Sequence, residues 1–340
     1  MPGVELLGSM MRQINREKKK PLDILTFSTH ESWQSFIAMT GHNFYHVPSP
    51  ERKMWMVDYR PIPPNVRMIH GEPDNDQQFD LVLSQTSFQQ FMVADNVSRI
   101  YGVPHVNVEH TLPLQAWSDD QLNQIVTSKK NSDCKKFVFI TEFNRNKWGF
   151  NEDEAEVIFH GIDTNIFKGW TGKDERIICV ANMYHERGDL LGWETFENVV
   201  IKNRMKCMLV GDNQGMSRRA TCLRDLVTKL QESRVFFNTS LWSPIPISVL
   251  EAMAVGLPVI TTENCDLPRV IQNGFNGFIS NDEAFLKEKL EWCLHEDNFK
   301  EVRKMGQNAR STILKHFGLW RFIDSWNNVF EETVGLRKRR

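Results

Sequence analysis

The sequence predicts an α/β chain of two domains, each a parallel sheet wrapped by helices, and three observations carry that prediction. Short apolar runs such as Leu81-Val-Leu, His105-Val-Asn-Val and Phe137-Val-Phe-Ile recur at spacings that leave room for a helix between them. The stretch Ser243-Pro-Ile-Pro-Ile-Ser-Val-Leu-Glu251-Ala-Met-Ala-Val-Gly-Leu-Pro-Val-Ile260 reads as loop, helix and buried strand in that order. A length of 340 residues suffices for two cores of ordinary size.

Taken in order, residues 1–20 end in Arg16-Glu-Lys-Lys-Lys20, a solvated lead-in to a first strand over 22–27. Strands at 81–84, 105–108 and 137–141 follow, with helix-length segments between them. Such sheets bind ligands at the carboxyl ends of their strands. That places His30, in the loop after the first strand, and His110, at the end of the 105–110 run, on the functional edge; Glu109 alternates to the other face. A further strand is predicted at 234–239. Ser248 followed three residues later by Glu251 suits a helix start with a capping box, Gly256 ends that helix, and Pro258 opens the strand 259–261. Helices are expected over 286–295 and 302–315, and 318–330 carries aromatic and aliphatic residues at helical spacing.

The chain has 41 basic and 43 acidic residues, a net charge of −2, so no global field recruits a polyanion. Six scattered cysteines without a Cys-x-x-Cys pair fit a reducing compartment. The N-terminus lacks an apolar core after its charges, and the uncharged run around 235–250 is broken by Asn, Ser and Pro. A cytoplasmic protein with neither signal peptide nor transmembrane segment is expected.

The 243–260 segment resembles the signature of the retaining GT-B glycosyltransferases of family four, in which two glutamates eight positions apart precede an Ala-Met-Ala-x-Gly-x-Pro-Val run. Here the second glutamate is Glu251, Ser243 stands at the first, and Pro244-Ile-Pro246 replaces a Gly-x-Gly, removing two N–H donors. Val157-Ile-Phe-His-Gly-Ile-Asp163 resembles the crossing into the second domain, where Asn-Gly-Val-Asp is usual. Ile178-Cys-Val-Ala-Asn182-Met-Tyr-His-Glu-Arg187-Gly is similar to the phosphate-binding Gly-Arg-Leu-x-x-x-Lys-Gly, with Asn182 for the arginine and Arg187 for the lysine. Met208-Leu-Val-Gly-Asp212 and the Asp266 to Phe278 segment match further elements, so the resemblance spans residues 137–330, less one strand and helix between Asp212 and Arg234. It implies two Rossmann-like domains facing a central cleft, 1–165 and 166–315, with 316–340 crossing back to the N-terminal domain.

The same resemblance implies transfer of a sugar from a nucleoside-diphosphate sugar, a UDP-sugar by family frequency, to a hydroxyl with retention and without metal or cofactor. Arg187, Asn182 and the free amides of Ile247 and Ser248, with Lys206 or Arg218 nearby in sequence, would hold the diphosphate, and Glu251 the ribose hydroxyls. Ser243 and His110 would lie near the transferred sugar, and His30 or Glu31 near acceptor or donor. Each has a structural alternative: Glu251 as the acid of a capping box, Arg187 as a surface arginine, the histidines as ordinary loop or core residues. Asp74-Asn-Asp76 has the spacing of the metal motif of the other major glycosyltransferase fold, but in this frame reads as a solvated loop.

Two basic stretches, from Lys129 through Lys136 to Lys147 and from Lys202 to Arg224, and the tail Arg337-Lys-Arg-Arg340 leave two acceptor classes open. One is a hydroxylated base in DNA, as for some bacteriophage glucosyltransferases, which would place the enzyme in host cytoplasm. The other is a glycan or lipid-linked sugar. A different class of function is a degenerate, non-catalytic binding or scaffold subunit, suggested by Ser243, Pro246 and Asn182.

Overall fold

The computed structural model describes residues 20–27, 30–48, 55–69, 77–86 and 88–336. It divides into two compact units, one comprising residues up to Gly161 with those from Leu319 onward, the other Ile162–Gly318. Most of the charged lead-in, the Asp74-Asn-Asp76 motif and the Arg337–Arg340 tail lie outside the described residues.

The first unit holds a seven-stranded parallel sheet in the order β3-β2-β1-β4-β5-β6-β7. Its strands are β1 Asp23–Phe27, β2 Asn43–Val47, β3 Val66–Met68, β4 Leu81–Gln85, β5 His105–Glu109, β6 Lys136–Phe139 and β7 Glu156–Val157. Strand order reverses between β1 and β4, which opens a crevice at their carboxyl ends. The apolar runs are continuous rather than alternating because helices cover both faces of a parallel sheet. One of those helices comes from the far end of the chain. Leu319–Thr333 contributes Leu319, Phe322, Ile323, Trp326 and Phe330 to the core formed with Ile24, Trp33, Phe44 and Val106. The spacing of its aromatic residues predicts the helix and the resemblance predicts that it crosses back, as it does.

The second unit is a five-stranded parallel sheet in the order β12-β11-β10-β8-β9. The strands are β8 Asp174–Val180, β9 Cys207–Val210, β10 Ser233–Asn238, β11 Val259–Thr261 and β12 Gly277–Ile279. Here the order reverses between β8 and β10. Between β9 and β10 the described residues hold one helix, Leu223–Glu232, and no further strand.

The helix after β10 runs Ile247–Val255, two residues earlier than a helix capped by Ser248 would begin. Pro246 occupies the N-cap with φ −62° and ψ 130° and offers no side-chain cap, so Ser248 lies inside the first turn. The Ser248 and Glu251 capping box therefore does not form, because a capping serine must precede the first helical residue. Gly256 closes the helix at φ +107°. It also meets the Phe299–His316 helix so closely that a Cβ on Gly306 would come within 2.0 Å of the Gly256 carbonyl oxygen.

Candidate functional site

In the second unit, the loops after β8, β9 and β10 are tied to one another. Asn213 is buried; its Nδ2 donates to the Ala181 carbonyl and to Ser217 Oγ, each at 2.8 Å, and its Oδ1 accepts from the Tyr184 amide at 2.7 Å. Asn182 Oδ1 accepts from the Asp212 amide at 2.8 Å. Thr239 Oγ1 donates to the Leu191 carbonyl at 2.8 Å, which leaves the Tyr184 hydroxyl as donor in its contact with Thr239. Burial holds the Tyr184 phenol above its ordinary pKa, so that donor stays protonated. Leu241 and Trp242 amides both reach the Leu190 carbonyl.

Two glycines make these approaches sterically possible. A Cβ on Gly192 would meet the Thr239 carbonyl oxygen at 2.0 Å, and one on Gly211, at φ +140°, the Ala181 carbonyl oxygen at 1.8 Å. Gly211→Ala is accordingly expected to cost about 1–3 kcal/mol from the backbone conformation alone, with further loss as the loops part. A drop in the urea midpoint of the second unit checks this.

On that frame the predicted residues take definite positions. Asn182 and Arg187 are exposed in the loop after β8, with Arg187 at the start of the short helix Gly188–Leu191. Asn182 commits its oxygen to the neighbouring loop, which leaves its Nδ2 as donor. Ser243 is half-buried in the loop after β10, and Ile247, Ser248 and Glu251 share one face at the beginning of the next helix. The first amides of that helix lie ahead of its internal ladder and suit an anion. Glu251, only 5% exposed, brings a carboxylate able to accept two hydroxyl hydrogens. Six of the predicted residues thus belong to loops and a helix start along one edge of one sheet, on both sides of its switch point.

The first unit gathers the others. His30 is exposed before the Glu31–Ala38 helix, while Glu31 Oε2 accepts from the Met56 amide at 2.9 Å. His110 stands one residue past β5, its Nε2 3.2 Å from Gln85 Oε1. Gln85 Nε2 donates to the Phe27 carbonyl at 3.0 Å, which fixes its oxygen toward His110 and makes His110 Nε2 the protonated nitrogen. Trp33 meets the His110 ring edge-on at 4.7 Å. The sequence reading overlooks His160, whose ring lies parallel to that of His110 at 6.2 Å. Its sequence signal is a histidine where the resembling motif has asparagine.

Three cations of the first basic stretch are paired within the fold. Lys129 is buried against the Glu109 carboxylate, Lys130 pairs with Glu154 at 2.7 Å, and Lys136 pairs with Glu156 and Glu332. In the second stretch Arg219 lies 3.5 Å from Asp212. Among the described residues, no group of three or more His, Cys, Asp or Glu side chains is placed to hold a metal, and no helix is long and apolar enough to cross a membrane.

Residues 192–312, all within the second unit, match the family model of the glycosyl transferases group 1. The HepE protein of Anabaena, solved with UDP and glucose, superposes with a TM-score of 0.73 at 14% identity, covering 92% of this chain and 100% of that one. A sucrose-phosphate synthase from Thermosynechococcus elongatus superposes with a TM-score of 0.72 at 14% identity, covering 93% and 100%. The chain has the GT-B fold. Among curated relatives, an uncharacterized glycosyltransferase of Methanocaldococcus jannaschii is 21% identical to this GT-B chain over 94% of its length and 92% of the relative's. The UDP-Gal:alpha-D-GlcNAc-diphosphoundecaprenol alpha-1,3-galactosyltransferase of Escherichia coli is 29% identical over 32% of the GT-B chain and 28% of its own.

Proposed function

We propose that the protein is a retaining glycosyltransferase that moves a sugar from a UDP-sugar to a hydroxyl on a glycan or lipid-linked sugar. The observation that carries the reading is the buried Glu251 on the first turns of the Ile247–Val255 helix, which follows the loop whose Leu241 and Trp242 amides are bonded to Leu190, three residues after Arg187. Glu251 accepts hydrogen bonds from the ribose hydroxyls. Arg187, Asn182 Nδ2 and the Ile247 and Ser248 amides stabilise charge on the diphosphate as it leaves. The bond from the anomeric carbon to the phosphate oxygen breaks with its electron pair going to the diphosphate. The acceptor oxygen bonds the same face of that carbon and gives its proton to the departing phosphate. Ser243 supplies a hydroxyl to the sugar in place of a carboxylate, and His110 and His30 attend the reacting groups. These protein cations and dipoles take the role a divalent ion would otherwise have, so turnover in EDTA is part of the proposal.

The acceptor class is supported by the internal pairing of Lys129, Lys130 and Lys136, which removes charge that a DNA backbone would need. It is also supported by the lipid-linked sugar named for the Escherichia coli relative. The six unpaired cysteines agree with a cytoplasmic setting, where Cys179 and Cys207 remain thiols at a sulfur separation of 3.8 Å.

Glu251→Gln keeps shape and removes charge, and is expected to weaken UDP binding by about 10- to 100-fold, the worth of charge-assisted hydrogen bonds. Arg187→Ala should lower turnover as well. Calorimetric titration with UDP, GDP and ADP measures the first effect. UDP affinity unchanged in both variants would remove the donor site from this edge of the sheet and favour the non-catalytic scaffold.

A further inference from the structure

The loop after β8 that presents Asn182 and Arg187 turns through Met183, whose φ of +52° lies in the left-handed region. That conformation is unfavourable for a residue with a Cβ, and it persists where surrounding contacts over-determine it. Packing does not hold this one, because Met183 is 50% exposed. Hydrogen bonds hold it instead.

Two consecutive residues after β9 clasp four consecutive residues after β8. The Asp212 carbonyl accepts from the Met183 amide at 2.8 Å, and the Asp212 amide donates to Asn182 Oδ1 at 2.8 Å. Asn213 takes the other two, accepting from the Tyr184 amide through Oδ1 and donating from Nδ2 to the Ala181 carbonyl. Those partners fix which way its amide points, since a backbone N–H can only donate and a carbonyl can only accept. Asn213 is itself locked in place. The residue is 1% exposed, Ser217 Oγ receives the second Nδ2 hydrogen, and the Asn213 carbonyl accepts from the Met216 and Ser217 amides, each at 3.0 Å.

The far end of the turn follows from the near end. With Met183 held, its carbonyl accepts from the Arg187 amide at 2.9 Å, and the Arg187 carbonyl accepts in turn from the Leu190 and Leu191 amides of the Gly188–Leu191 helix. Arg187 is exposed, so its placement depends on this backbone. The chemistry of the clasp requires an amide. Aspartate at 213 would keep the contact with Tyr184 but turn a carboxylate toward the Ala181 carbonyl, and alanine would release both contacts.

We infer that Asn213 is a positioning residue, a latch that keeps the 181–187 turn in the conformation that aims Arg187 at the donor diphosphate. The inference rests on the donor reading above and adds to it the group that keeps the cradle formed before nucleotide arrives.

The test is made on the full chain with Asn213→Ala, Arg187→Ala and the double variant, titrating UDP by calorimetry and uridine by ligand-observed NMR. Uridine lacks the phosphates, so it reports on folding and the rest of the pocket without the latch. Asn213→Ala is expected to weaken UDP binding about tenfold, the worth of one hydrogen bond to a charged group, and to leave uridine binding unchanged. In the Arg187→Ala background the same substitution should weaken UDP binding by less than about twofold, because the group it positions is gone. Equal losses for UDP and uridine would mark a purely structural asparagine and overturn the proposal. So would losses that multiply in the double variant, or a folded Asn213→Ala protein with wild-type UDP affinity. Should Asn213→Ala not fold, Ser217→Ala, which removes the acceptor of the second Nδ2 hydrogen, is expected to show the same pattern at about threefold, and wild-type UDP affinity in that variant then overturns the latch. Wild-type protein that binds UDP no more tightly than uridine would sink the donor reading itself and the latch with it. A UDP affinity lost in Arg187→Ala but untouched in Asn213→Ala would leave the donor reading standing and remove only the latch.

Discussion

Replacing Lys129 by alanine is expected to destabilise the first unit by about 3–5 kcal/mol, the usual result of removing one partner of a buried ion pair. Lys129 is the next-to-last residue of the Asp119–Lys130 helix, yet its side chain is only 1% exposed. Its ammonium touches the Glu109 carboxylate, donates to Asn107 Oδ1 at 3.1 Å and lies 4.9 Å from the centres of the Phe91 and Trp148 rings. Burial pushes the Glu109 carboxyl above its ordinary pKa while Lys129 draws it back down. Without the lysine that carboxylate is stranded. Exchanging both partners, Lys129→Met with Glu109→Leu, should restore most of the loss, because packed apolar groups replace a buried pair at little net cost. Urea unfolding of the single and double variants measures the coupling. A single variant within 1 kcal/mol of wild type would show that the pair is solvated in solution.

Acidification should unfold the first unit ahead of the second. Burial lowers His46 to about 4 and His105 and His160 to about 3, and all three belong to the first unit. In each case the unfolded chain, with a pKa near 6.5, takes up its proton before the folded one does. The stability they contribute is therefore complete above about pH 6.5 and is lost as the pH falls toward the folded values. Each lowers stability by about 1.4 kcal/mol per pH unit in that window, so the three together remove about 4 kcal/mol per unit. Against the 5–15 kcal/mol typical of a domain, two pH units are enough. Glu109, whose pKa is raised, opposes this slope as one group against three. Melting curves by tryptophan fluorescence at pH 7.5, 6.0 and 5.0 should show a falling first transition. A melting temperature unchanged down to pH 5 would contradict the burial of these rings.

Much of the fold is legible in the sequence because its signals are local. Continuous apolar runs mark strands buried on both faces, and the aromatic spacing after Gly318 marks a helix with one apolar side. The strand-end placement of the candidate site residues is legible for the same reason, since a strand's end can be read without knowing its neighbours. What escapes reading depends on contacts between distant segments. Lys129 looks like surface charge among other lysines, and nothing local reveals that Asn107 and Glu109, two apart on β5, both face it. His160 sits in a familiar stretch, and that its ring lies parallel to that of His110, fifty positions away, is apparent only in the fold. Ser248 shows the opposite error: a sound local motif is displaced by Pro246, which takes the N-cap and starts the helix two residues sooner.

The adjoining ends of the second unit bear on the order in which the chain can fold during synthesis. The Ile162 amide donates to the Phe317 carbonyl at 2.8 Å, and Ile162 bridges to Gly318, so this unit is one continuous segment that closes on itself. All its strands have emerged once residue 318 is made. The first unit begins earlier and finishes later, because its core lacks Leu319, Phe322, Trp326 and Phe330 until the last helix appears. Its sheet must therefore wait with an apolar face uncovered while the 162–318 segment is translated, an interval of roughly ten to thirty seconds at ordinary elongation rates. The usual sequence, in which the N-terminal unit folds first, is reversed, and the uncovered sheet is the part of the nascent protein most in need of a chaperone.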